Sequence, residues 1–94
     1  MARHEDVAVT DEWVQLTAGD VTEIRVQNPS PYPVLLQVTS GATAPVSAQG
    51  AVTLRSGYAF ADELAVWWPG VAGAARVWAR TLGRMPVVVS VSHA

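Results

Sequence analysis

Val21-Thr22-Glu23-Ile24-Arg25-Val26-Gln27, then Asn28-Pro29-Ser30-Pro31-Tyr32-Pro33, then Val34-Leu35-Leu36-Gln37-Val38-Thr39, reads as strand, turn, strand. Before the turn, Thr22, Ile24 and Val26 share one face, and Glu23, Arg25 and Gln27 share the other. After it, Val34, Leu36 and Val38 oppose Leu35, Gln37 and Thr39. Period two marks a sheet with one dry and one wet side. The prolines between the runs each lack an N–H donor, which disfavours ladder pairing there. The stretch therefore predicts a hairpin-like unit of an all-β domain.

The flanking chain follows the same pattern. Residues 7–10 read as the start of an edge strand, and residues 13–17 place Val14 and Leu16 on one face. Residues 40–50 form a loop of small residues, and residues 51–55 turn Val52 and Leu54 inward. Ser56-Gly57 is a turn, and residues 58–61 read as strand or loop. Residues 62–68 fit two readings: a short helix with Asp62 as N-cap, or a strand with Leu64, Val66 and Trp68 on one face. Pro69-Gly70 stops either within two turns, which favours a turn or strand. Residues 75–81 form a strand with Val77 and Ala79 inward and Arg76, Trp78 and Arg80 outward. After a loop at 82–86, residues 87–91 form the last strand, and 92–94 are a tail. The expectation is a small antiparallel β-sandwich or barrel of six to seven short strands. It spans residues 7–94 as a single domain behind a flexible polar arm, residues 1–6.

Composition narrows the function. Of the 94 residues, 50% are hydrophobic and 15% charged, against about 25% charged in typical domains. Such a surface suits a chain partly covered by a partner; thinly spread alanine and valine give the same numbers. The net charge is −2, and all six basic residues are arginine. Without a basic patch, nucleic-acid binding is not expected. The first six residues are polar with no apolar run behind them, so neither a signal peptide nor a membrane span is expected. Synthesis in the cytoplasm is the corresponding expectation.

No catalytic constellation emerges. With no cysteine there is no thiol catalysis, disulfide or Cys-ligated zinc. His4 and His93 stand at opposite ends of the chain and read as solvated tails. The acidic pairs Glu5-Asp6, Asp11-Glu12 and Asp62-Glu63 are adjacent, so on a strand their side chains diverge and form no carboxylate dyad. Neither a nucleophile elbow nor a phosphate loop occurs. The expectation is a protein that is not an enzyme and holds no cofactor or metal.

Four tryptophans are many for this length. If Trp67 and Trp68 lie on a strand, they cannot enter the same core, so one is exposed or covered by another chain. Trp78 between Arg76 and Arg80 makes an aromatic-cationic strip, of a kind enriched at interfaces. The expected contact set is therefore Trp67, Trp68, Arg76, Trp78 and Arg80. A cation–π stack within the fold and a platform for sugar rings are the other readings of the same residues.

The order of these features resembles small virion structural proteins of tailed phages and gene-transfer-agent-like particles. The likeness rests on an early Trp13 before an alternating strand, on Gln27-Asn28-Pro29-Ser30 at a strand end, and on a glycine-containing middle. It continues with a late Val77-Trp78-Ala79-Arg80 strand and a closing Val/Ser strand over residues 87–92. The resemblance implies a role in head decoration, a spike base or a connector. It implies a place in the virion, homo-oligomerisation, and the major capsid protein or other virion subunits as partners. It supplies no catalytic residues. The competing expectation is a carbohydrate-binding β-sandwich module, of adhesin or fibre type, that uses exposed tryptophans.

Overall fold

A computed structural model describes residues 2–94. The chain runs β1 (Arg3–Val9), β2 (Val14–Gln15), β3 (Glu23–Gln27), β4 (Val34–Thr39), β5 (Val52–Leu54), β6 (Ala59–Glu63), α1 (Leu64–Trp67), β7 (Arg76–Thr81) and β8 (Val87–His93). The strands form two four-stranded antiparallel sheets, ordered β1-β8-β3-β6 and β2-β7-β4-β5. The ladders include the nested pairs β1 with β8, β2 with β7, β3 with β6 and β4 with β5. The chain is thus one long hairpin, folded back between β4 and β5 and rolled into a sandwich. This is the jelly-roll arrangement. The expected sandwich is present, with eight strands instead of six or seven, but the hairpin expected over residues 21–39 is not: β3 and β4 lie in opposite sheets, because the proline-rich turn carries the chain across the sandwich instead of back along the same ladder.

The alternation read from the sequence builds the core. Ile24, Val26, Val89 and Val91 from one sheet meet Val34, Leu36, Val77 and Ala79 from the other, all buried. Thr22 precedes β3 and is exposed, so the dry face of that strand is shorter than its period suggested.

The ends of the chain depart from expectation. Residues 3–6 are strand, paired from Arg3 opposite His93 to Asp6 opposite Ser90. Arg3 and Glu5 neutralise each other at 2.8 Å, and Arg3 Nη1 donates to the Leu16 carbonyl at 2.8 Å. A charged stretch can therefore close an edge instead of trailing in solvent. Met1, the first residue of the expected arm, lies outside the described residues. His93, expected in a solvated tail, is 93% covered, and its Nε2 accepts the Ala18 amide at 3.0 Å. With Nε2 accepting, the neutral ring carries its proton on Nδ1, which donates to the Ala94 carbonyl at 3.1 Å.

Antiparallel order places the connections β1–β2, β3–β4, β5–β6 and β7–β8 at one end of the sandwich. Asn28, fully buried, knits that end together. Its Nδ2 donates to the carbonyls of Tyr32 at 2.7 Å and Leu54 at 3.1 Å. Its Oδ1 accepts from the amide and hydroxyl of Ser30 at 3.1 and 2.6 Å. Its carbonyl accepts the Gly57 amide at 2.7 Å, where Gly57 holds φ at +79°, a conformation that disfavours side chains.

Candidate functional site

The two sheets part along the seam between β5 and β6. A cleft of about 410 Å³ opens there, floored by Leu54 and Phe60. Arg55 and Tyr58 stand at one end of it, Asp62 and Trp67 at the other. The end follows from strand direction, since β6 leaves the β5–β6 turn at Ala59 and reaches α1 after Glu63. Tyr58 is 61% and Trp67 47% exposed.

Residues 62–68 split between two elements. Asp62 and Glu63 end β6, and a single helical turn follows. Glu63, not Asp62, occupies the N-cap position, and no side chain caps the helix. Successive residues of a helix diverge by about 100°, so Trp67 and Trp68 part company. Trp68 enters the core beside Leu64, whose carbonyl accepts the Trp68 amide at 2.9 Å. Its indole Nε1 is buried and finds no hydrogen-bond partner among the described residues. Trp67 stays at the surface, edge-on to Phe60 with centroids 5.1 Å apart. Its Nε1 donates to Asp62 Oδ2 at 3.1 Å, while Asp62 Oδ1 accepts the Glu63 amide at 2.8 Å.

The remaining residues of the expected contact strip do not form an open surface. Trp78 does face outward, between Gln15 and Gln37 in register, yet it is only 7% exposed. Its Nε1 donates to Thr39 Oγ1 at 2.8 Å, and Gln37 is tied to the Gln49 carbonyl at 2.7 Å. Arg76 is paired with Asp20 at 2.9 Å. The Arg80 guanidinium lies 5.6 Å from the centroid of the Trp13 ring. Trp78 and Trp68 are thus covered within one chain, and the two arginines are engaged inside it. Of the five residues, Trp67 alone keeps a large exposed ring.

The sequence reading missed a second apolar feature. At the end knitted by Asn28, Tyr32, Leu82 and Met85 are 45%, 58% and 57% exposed and line one concavity of about 120 Å³ with Pro33 and Arg84. The turn beneath them is held by Thr81 Oγ1, which donates to the Gly83 carbonyl at 2.7 Å. The available signal was three large apolar side chains inside turn sequences, where polar residues are usual. Tyr58 and Arg55, at the mouth of the seam, were also passed over; the aromatic-small alternation of Tyr58-Ala59-Phe60-Ala61 was the signal there.

Among the described residues, no group of three or more His, Asp or Glu side chains converges to hold a metal ion. No protein-family model, curated protein or solved structure matches the chain.

Proposed function

We propose that the protein is a non-enzymatic structural subunit of a phage-like virion, packed onto another particle protein through the loop end that carries Tyr32, Leu82 and Met85. The observation that carries the reading is this trio of large, half-exposed apolar side chains on turns fixed by internal hydrogen bonds. Turns whose backbone is already fixed lose little further backbone entropy on contact, and contiguous apolar groups mark interaction sites. Arg84 beside them offers a cation to a partner carboxylate. The sequence resemblance to small virion proteins supports the same reading and names the class of partner, the major capsid protein or a neighbouring subunit. A Leu82→Ser/Met85→Ser double variant tests it. Incorporation into particles should fall at least tenfold while the melting temperature moves by no more than a few degrees. Full incorporation of that variant would contradict the contact.

A second reading, a carbohydrate-binding module, is favoured by one feature of the seam. Tyr58 and Trp67 offer exposed rings, with Arg55 and Asp62 beside them as hydrogen-bonding groups. A glycan array separates the two. Binding that is lost in Tyr58→Ala and Trp67→Ala would establish the sugar reading.

A further inference from the structure

We propose that the free edge of β6 is a self-association surface that takes a second copy of this chain by antiparallel strand pairing. The inference is independent of the virion reading. β6 pairs with β3 along one side only. The Asn28 amide donates to the Tyr58 carbonyl, and the Leu64 amide donates to the Thr22 carbonyl. Hydrogen-bonded pairs alternate along an antiparallel ladder. The even positions of β6 therefore bond to β3, and Ala59, Ala61 and Glu63 turn their N–H and C=O groups outward. Asp62 already takes the Glu63 amide. Among the described residues, no hydrogen bond engages the outward backbone groups of Ala59 and Ala61.

The other three sheet edges are guarded. β1 carries the Arg3–Glu5 ion pair together with His4 and Asp6. β2 has two residues and β5 has three. Charge and shortness are the usual protections against edge pairing. β6 carries charge only at its last two residues, Asp62 and Glu63, and before them shows the small, exposed side chains of Ala59 and Ala61 around the buried Phe60.

The distribution of charge selects the occupant. A two-fold contact must be self-complementary. Arg55 and Tyr58 lie at one end of the edge; Asp62, Glu63 and Trp67 lie at the other, about 13 Å away at the rise of a strand. Antiparallel apposition with Ala59 opposite Ala61 of the second copy makes two hydrogen-bonded pairs, each exchanging two bonds. It sets Arg55 of each copy toward Asp62 of the other, on the face of the seam that both line. It also brings Tyr58 of each copy to Trp67 of the other, covering both exposed rings. A foreign strand would have to carry the same charges in the same order to do as well.

The test is sedimentation of the full chain across a concentration series. The wild type should reach a dimer, twice the 10.0 kDa chain mass, and the backbone amides of Ala59 and Ala61 should exchange more slowly as concentration rises. Ala61→Pro removes an outward N–H without touching the β3 ladder, and should raise the dimer Kd at least tenfold. Should that variant unfold, Arg55→Glu decides: it should also raise Kd at least tenfold, and Arg55→Glu/Asp62→Arg should restore association. A wild type that stays monomeric to millimolar concentration would overturn the proposal. So would an oligomer whose Kd is unmoved by Arg55→Glu. A monomer that binds an extended peptide or a glycan at this edge would assign it to another occupant and likewise overturn it.

Discussion

The indole N–H of Trp67 donates to Asp62 Oδ2 at 3.1 Å, and this bond keeps the ring at the mouth of the seam while its neighbour Trp68 fills the core. One carboxylate thus braces a surface aromatic and caps the Glu63 amide at the end of β6. Replacing Asp62 with Ala should free the Trp67 ring. Because the pair is exposed, the loss of stability should be no more than about 1 kcal/mol. Faster solvent exchange of the Trp67 indole proton is the direct readout; an unchanged rate would show that the bond does not hold the ring.

The two adjacent tryptophans should differ sharply on truncation. Trp68→Ala removes a ring that is 4% exposed and should cost about 3–5 kcal/mol in denaturant unfolding, the usual range for a buried aromatic. Trp67→Ala loses only a half-exposed ring and its edge contact with Phe60, and should cost about 1–2 kcal/mol. Equal costs would contradict the divergence of the two rings.

Asn28 should be among the most sensitive polar residues. Its truncation to Ala leaves the carbonyls of Tyr32 and Leu54 short of a donor, and we expect a loss of about 2–4 kcal/mol. Asn28→Asp should be no better, since a carboxylate cannot donate to those carbonyls. Urea melts of both variants check this; near-wild-type stability for Asn28→Asp would refute the assigned donor roles.

Trp78 should behave as a structural residue and not as a contact residue. Its ring is covered within the chain, so Trp78→Ala should lower monomer stability by about 3 kcal/mol or more. Arg80→Ala should cost about 0.5–2 kcal/mol, the range for a half-buried cation–π contact. Thermal melts at low protein concentration measure both. A Trp78→Ala variant that melts like the wild type but fails to assemble would return this ring to the interface.

How far the sequence could be read depended on the range of the interactions. Strand faces such as Val34-Leu36-Val38 and Val87-Val89-Val91 are local alternations, and both are buried as read. The divergence of Trp67 and Trp68 was legible only for a strand, where adjacency forces it; on the helical turn that forms, neighbours can share an apolar face, and the packing of Trp68 beside Leu64 decides which ring is buried. The outward direction of Trp78 was correct by parity, but its burial was not visible. Its cover comes from Thr39, Gln37 and Gln15, far away in sequence. The pairing of residues 3–6 with the last strand was hidden for the same reason, since charges on both faces erase the period. The apolar loop end escaped because Tyr32 and Met85 are brought together only by the nested strand order.

The most direct test of the account is quantitative mass spectrometry of density-purified particles from cells that express this chain. The account predicts this chain in a fixed copy number relative to the major capsid protein, unchanged by further purification. Its presence in the lysate but absence from purified particles would contradict the structural role proposed for it.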